Sequence, residues 1–199
     1  LTLHRRLQEK IDAIGEAARK GIPGRIIVKT NALTDEPLIR ALVRAGQSGV
    51  RIDLIVRGAC MLPPGLPGQT DNIRVRSIVG RFLEHTRVFY FRSGEAEEVF
   101  LSSADWMNRN MLRRIELAWP VLDPALRRRV IDECLVPYLL DERDAWTMDG
   151  TGAYRCMASP PQGGTRGAQE SLMRLHAANG DTTRSKRAAG GRPARRQHP

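Results

Sequence analysis

The sequence predicts an α/β fold in which a mixed β-sheet is flanked by helices and followed by a disordered basic C-terminal tail. Three observations carry that expectation: an amphipathic helical pattern at the start, a strand–helix–strand unit after it, and two later β-rich runs connected through Ser93-Gly94. Parallel pairing in the first unit and antiparallel pairing in the second make the sheet mixed.

Leu3, Leu7, Ile11, Ile14 and Ala18 recur at three- and four-residue intervals among charges, so a helix is expected from Leu3 to about Lys20, ended by Gly21 and Pro23. Its apolar stripe needs a partner surface. Arg25 to Lys29 holds the β-branched run Ile26-Ile27-Val28, helical spacing follows from Leu38 to Val43, and Gly46 and Gly49 break it. Val50 to Val56 is then apolar apart from Arg51 and Asp53. Strand, helix, strand at this spacing is a βαβ unit with a right-handed crossover.

The stretch after Gly58, with Pro63-Pro64-Gly65 and Pro67-Gly68, reads as a loop, and a third strand is expected to start at Ile73. Arg87 to Phe91 and Val99 to Leu101 flank the connection Arg92 to Glu98 and read as a hairpin. Ile115 to Val121 reads as a further strand, with Pro120 marking its end or an edge position. Asp123 supplies a helix N-cap and Pro124 the first helical position; this helix is expected to run to about Leu140, with a last short helix around Ala168 to His176.

At 199 residues, 41% hydrophobic and 5% aromatic, the chain can bury one ordinary core. One domain over 1–177 and a tail over 178–199 are therefore expected. From Ala178 onward Gly, Ala, Arg, Thr and Pro replace large apolar groups, leaving too little surface to offset ordering entropy. The formal charge is +10; residues 156–199 carry eight Lys/Arg against two Asp/Glu, which leaves +4 for residues 1–155. The ordered part is only mildly basic. The tail reads as a solvated end, with nonspecific binding of nucleic acid or polyphosphate as the alternative. Twenty-eight arginines against four lysines fit a coding bias as readily as a demand for forked phosphate contacts.

Cys60, Cys134 and Cys156 are odd in number, widely spaced and without a CxxC pair, which indicates neither a disulfide framework nor a zinc site. They point to a reducing cytoplasm, with peripheral membrane association left open. No apolar stretch approaches the roughly 20 residues of a membrane span. Because the chain opens at Leu1 directly into a helical pattern, an upstream segment is expected to be missing.

Arg57-Gly58, the segment Ser77 to Arg87, and Ser102 to Arg114 place arginines, one histidine and small hydroxyl residues where apolar runs end. Guanidinium forks bind phosphoryl oxygens bidentately, and imidazole carries a proton near neutral pH, so the mixture suits a site that handles phosphate chains. Arg57 ends the Val50 to Val56 run, at the edge where open parallel sheets collect ligands. Lys29 and Asn31 lie on the same side of an extended segment, so an ammonium and an amide can reach one phosphate. Asp105 reads as a brace for the Ser103 to Asn110 turn and Trp106 as packing. Ser102 and Ser103 are candidate hydrogen-bond donors without the setting of a nucleophile. Arg113, if this segment is a strand, faces away from Arg114. The sequence has no G-x-x-x-x-G-K-[ST] loop. His4, His176 and His198 read as surface residues.

Lys29-Thr30-Asn31-Ala32-Leu33-Thr34-Asp35, the run Gly49 to Gly58, the run Asp71 to His85 and the run Ser102 to Arg114 closely resemble, in this order, the C-terminal region of bacterial polyphosphate kinases. The match extends more weakly to Ala168-Gln169-Glu170. The resemblance implies a phospholipase-D-like α/β fold, with a second similar domain and two further domains upstream. It implies reversible transfer of the terminal phosphoryl group of ATP to polyphosphate through a phosphohistidine in the preceding domain, with Mg2+ required. The partners implied are ATP or ADP, inorganic polyphosphate, the upstream domains and, in the full-length enzyme, a homo-oligomer.

Carried over residue by residue, the resemblance makes His85 the histidine that faces the transferred phosphoryl group, as general acid or nucleotide-phosphate contact. It makes Arg57 and Arg114 phosphate contacts, with Lys29, Asn31, Arg87 and Ser103 as further ones. No residue of this chain is identified as a metal ligand. With its nucleophile upstream, the chain is expected to be inactive alone. Pro63 stands where the family often carries an arginine, which removes one expected polyphosphate contact. His85-Thr86-Arg87 also resembles the H-x-K element of phospholipase-D-like proteins, with Arg for Lys. A phosphodiesterase of that kind is one alternative reading, and a noncatalytic polyanion-binding module is the other.

Overall fold

Thr2 caps the first helix, α1 (Leu3–Arg19), by accepting a hydrogen bond from the Arg5 N–H, and the predicted stripe buries Leu7, Ile11 and Ile14. The stripe lies on α2 (Glu36–Gln47), which starts at an Asp35 N-cap with Pro37 in its first turn. The Asp35 carboxylate accepts from Leu38 N–H at 3.1 Å and meets His4 Nε2 at 2.8 Å, so His4 ties α1 to α2 and is not the surface residue its sequence setting suggested. The structure, a computed structural model, describes residues 2–157 and 166–189, with the side chains of the last helix described through residue 178.

The strands are β1 (Gly24–Thr30), β2 (Arg51–Val56), β3 (Ile73–Ile78), β4 (Val88–Ser93), β5 (Ala96–Ser102), β6 (Ala118–Pro120), β7 (Ala145–Met148) and β8 (Tyr154–Cys156). They form one sheet in the order β6-β5-β4-β1-β2-β3-β7-β8. The β1, β2 and β3 pairs are parallel and the other pairs antiparallel, as the βαβ unit and the hairpin require. Alternation along each strand splits the core in two. Ile26, Val28, Ile52 and Leu54 pack with α1 and α2 on one face. Ile27, Ile55, Ile78 and Tyr90 pack on the other with Leu135 and Tyr138, near the junction of α4 (Pro124–Cys134) and α5 (Val136–Leu140), and with Ala168, which opens α6 (Ala168–Ala189). Each fully buried Leu or Ile contributes about 1.5–3 kcal/mol relative to exposure.

The boundaries correct three expectations. The strand expected over Ile115 to Val121 shrinks to Ala118–Pro120, because pairing with β5 begins only at Ser102↔Ala118 and Ile115 projects into solvent, 99% exposed. Arg113 ends a short helix, α3 (Asn108–Arg113), and Arg114 is its extended flank, so the two do not alternate across a strand. The helix expected from Pro124 to Leu140 breaks at Leu135, since Pro137 has no N–H for the carbonyl four residues back. Asp123 caps its start as predicted, accepting from Leu126 N–H at 2.8 Å.

Strands β7 and β8 were not anticipated. Their signal is local: in the turn between them Asp149 Oδ1 accepts from the Thr151 N–H and hydroxyl, and Gly152 adopts φ +84°. The last helix extends past His176, where it was expected to end, to Ala189. Residues 190–199 of the expected tail, His198 among them, lie outside the described residues. Among the described residues no helix is long and apolar enough to cross a membrane.

Candidate active site

Strand directions gather the candidate residues at one edge of the sheet. β1, β2 and β3 end there, at Thr30, Val56 and Ile78; β4 runs antiparallel to β1, so its start, preceded by His85-Thr86-Arg87, lies beside the end of β1 at Lys29↔Val88. β5 returns to the same edge at Ser102, and β6 leaves from it four residues after Arg114. The carboxyl ends of parallel strands are where α/β sheets bind ligands.

Arg57 emerges from β2 and donates from Nε to Asn31 Oδ1 at 2.9 Å, while its carbonyl accepts from the Ser77 hydroxyl at 2.9 Å. Asn31 therefore orients the guanidinium. On one side of Arg57 a narrow recess of about 20 Å³ is lined by Lys29, Asn31, Glu84, Thr86 and Tyr138, room for little more than a water. On the other side a cleft of about 300 Å³ is bordered by Gly58, Ser77, Val79, Trp146 and Tyr154.

Lys29 does not face this edge as a free cation. Its Nζ pairs with Glu84 Oε2 at 2.6 Å and lies 3.3 Å from the Tyr138 ring centroid. Burial pulls the Lys29 pKa down, against the attraction of Glu84. Burial alone would raise Glu84, but the Lys29 charge and hydrogen bonds from Lys29, Tyr138 and Gln169 outweigh it and hold the carboxylate below its ordinary range. Tyr138, buried and bonded to Glu84, is pushed upward and keeps its proton.

Asp105 reaches further than the turn it was expected to brace. Its carboxylate accepts from Arg87 Nε at 2.8 Å and Nη2 at 2.9 Å, from the Thr30 hydroxyl at 2.9 Å and from the Asn31 N–H at 2.9 Å. Burial would raise its pKa, yet Arg87 and these donors bring it below the usual value, and Arg87 is raised in turn by its bonds to Asp105. A further Arg87 donor, Nη1, bonds the His85 carbonyl at 2.8 Å. In this geometry Arg87, expected at a phosphate, ties the histidine segment to the β1 end.

The His85 ring is exposed, and among the described residues no side-chain hydrogen bond or ion pair engages it. Arg114 is likewise exposed at the end of α3. Ser103 donates to Glu116 and accepts from Leu117 N–H at 3.0 Å, which staples the β6 segment to the end of β5 and occupies a hydroxyl expected at phosphate. Trp106 is fully buried with its ring 5.3 Å from that of Phe89, as a packing residue should be. Glu84, Tyr138 and Gln169 had no assigned role in the sequence; the available signals were the adjacency of Glu84 to His85 and the weaker resemblance around Ala168-Gln169-Glu170.

Among the described residues no group of three or more His, Cys, Asp or Glu is arranged to hold a metal ion.

Fold and edge chemistry together define a mixed-sheet α/β domain that presents one open histidine and arginines at the carboxyl edge of its parallel strands. A family model described as "Polyphosphate kinase C-terminal domain 2" matches residues 1–169. The polyphosphate kinase of Paraburkholderia phytofirmans is 52% identical over 172 residues, which cover 86% of this chain and 25% of that protein. The polyphosphate kinase of Xylella fastidiosa is 47% identical over 172 residues with the same coverage, 86% and 25%. The crystal structure of polyphosphate kinase from Porphyromonas gingivalis aligns at a TM-score of 0.82 and 40% identity, covering 90% of this chain and 27% of that one. The chain belongs to the polyphosphate kinase C-terminal domain 2 family. It spans about a quarter of the length of the curated relatives it matches.

Proposed function

We propose that this domain forms one wall of a phosphoryl-transfer site that moves the terminal phosphoryl group of ATP reversibly onto polyphosphate. The nucleophile is a histidine of an upstream domain. Its ring nitrogen attacks the terminal phosphorus and ADP leaves; a terminal oxygen of polyphosphate then attacks the phosphohistidine and regenerates the free imidazole. In this reading His85 meets the transferred group and hands a proton or hydrogen bond to the departing oxygen. Arg57 and Arg114 hold phosphate oxygens, Arg57 with its head set by Asn31. Lys29, Arg87 and Ser103 shape the edge and leave direct phosphate contact to those residues. Mg2+ arrives with the nucleotide, and no step is assigned to it. A homo-oligomer of the full-length enzyme and a cytoplasmic setting belong to the same proposal.

The observation that carries this reading is the convergence of Arg57, His85 and Arg114 on one sheet edge, with the His85 ring exposed while Arg87 holds its backbone carbonyl. The test is polyphosphate-dependent conversion of ADP to ATP with Mg2+, by the chain alone and mixed with a separately made upstream half of a polyphosphate kinase. Activity only in the mixture, abolished by His85→Ala, Arg57→Ala or Arg114→Ala, is expected. Normal turnover in all three variants would sink the assignment. Hydrolysis of a simple phosphodiester by the purified chain would instead favour a phospholipase-D-like phosphodiesterase.

A further inference from the structure

Residues 80–86 carry His85 from β3 to β4, and they make no backbone–backbone hydrogen bond to the other described residues. A segment without a ladder takes its position from side chains that reach in from elsewhere. The most direct is Gln169, in the first turn of α6 and 7% exposed. Its Oε1 accepts from the Phe82 N–H at 2.8 Å, and its Nε2 donates to the Phe82 carbonyl at 2.9 Å and to Glu84 Oε1 at 2.8 Å. A single amide thus satisfies both backbone groups of Phe82, as a neighbouring strand would, and fastens the carboxylate next to His85.

Gly80 supports the same arrangement independently. A Cβ at that position would come within 2.8 Å of Gln169 Cδ, so the absence of a side chain is what lets the amide reach Phe82. The helix that carries Gln169 is itself anchored. Asp141, 2% exposed, accepts from the Ala168 N–H at 2.6 Å through Oδ2 and from the Arg143 and Asp144 N–H groups through Oδ1. Arg76 Nη1 bonds the carbonyls of Tyr138 and Leu139 just before it, at 3.0 and 2.6 Å.

We propose that Gln169 is a positioning residue: by clamping Phe82 and Glu84 it fixes the 80–86 segment and so sets the His85 imidazole against the phosphoryl group. Arg87 holds the far end of the segment through the His85 carbonyl. The functional half of this proposal rests on the role given to His85 above; the structural half stands apart from it.

Two arms test it on the whole 199-residue chain. In the first, amide hydrogen exchange and the His85 ring signals are followed by NMR in the wild type, Gln169→Ala and Gly80→Ala, the last crowding the amide from the loop side without touching α6. Both variants should exchange the Phe82 amide about tenfold faster and broaden residues 80–86, while the Ile27 and Phe89 amides of the sheet stay protected. In the second arm, the mixture with the upstream half should show kcat about tenfold lower with KM for ADP within about twofold, since misplacing a catalytic group slows chemistry more than binding. Unchanged Phe82 exchange and unchanged kcat in both variants would overturn the proposal. If Gln169→Ala loses protection across the sheet as well, Gly80→Ala decides it. A mixture inactive even with wild type removes the role of His85, and the exchange arm still decides whether Gln169 holds the segment.

Discussion

The Lys29 ammonium and the Glu84 carboxylate lie 2.6 Å apart with side chains 7% and 17% exposed, an ion pair at the floor of the recess from which the His85 segment departs. It joins the end of β1 to residues with no backbone ladder of their own. Removing one partner from such a pair leaves an uncompensated buried charge. Glu84→Gln is therefore expected to lower the unfolding free energy by about 3 kcal/mol in urea denaturation. Replacing both partners by apolar residues, Lys29→Met with Glu84→Leu, should recover most of that loss. A single-variant loss below about 0.5 kcal/mol would mean that water screens the pair.

Acid should destabilise the domain through two carboxylates. Glu84 and Asp105 are both held below their ordinary values, so the unfolded chain takes up protons before the folded one does. Their contribution is fully present above the ordinary carboxylate range and is lost as pH falls through the lowered folded values. Stability from these groups should be flat from about pH 5 to 7 and fall below about pH 4. The acid slope should be smaller in Glu84→Gln than in the wild type, measured by urea unfolding at a series of pH values. Equal slopes would place the titrating groups elsewhere.

Among the described residues Asn31 is the one side chain that holds Arg57, through one bond to Nε, which leaves the rest of its fork for ligand. Arg57→Ala should weaken binding of inorganic triphosphate about tenfold or more in calorimetry, with stability changed by less than about 1 kcal/mol. Asn31→Ala frees the head without removing it and should weaken binding by about threefold. Triphosphate affinity unchanged in both would exclude Arg57 from the phosphate site.

Ser103 gives the opposite expectation. Its hydroxyl is engaged by Glu116 and the Leu117 N–H, so Ser103→Ala should leave triphosphate affinity within about twofold while lowering stability by about 1 kcal/mol. A tenfold loss of affinity with full stability would restore Ser103 as a phosphate contact.

Much of the fold is legible in local pattern. The α1 stripe and the Asp123 cap stand where periodicity and turn chemistry put them, and the βαβ unit and the Ser93-Gly94 hairpin form as expected, with α2 running four residues past Val43 and β5 starting three residues before Val99. The misses come where a distant partner decides. Ile115 looks like strand by composition, yet β6 exists only where β5 is there to pair with it. Likewise the helix after Pro124 continues in composition but not in hydrogen bonding, because of Pro137.

By itself the sequence determines most of the element types, and its resemblance to the polyphosphate kinase family, rather than residue type alone, singles out Arg57, His85 and Arg114 as candidate phosphate contacts. Only the tertiary structure decides which charges are free to use. Lys29 and Glu84 are 55 residues apart in sequence, and Phe82 and Gln169 are 87 apart, and no local pattern pairs them. A buried cation must find an anion, and an unladdered backbone must find a side-chain partner, but many carboxylates and amides in the chain satisfy either need equally well until the strands set the edge on which they meet.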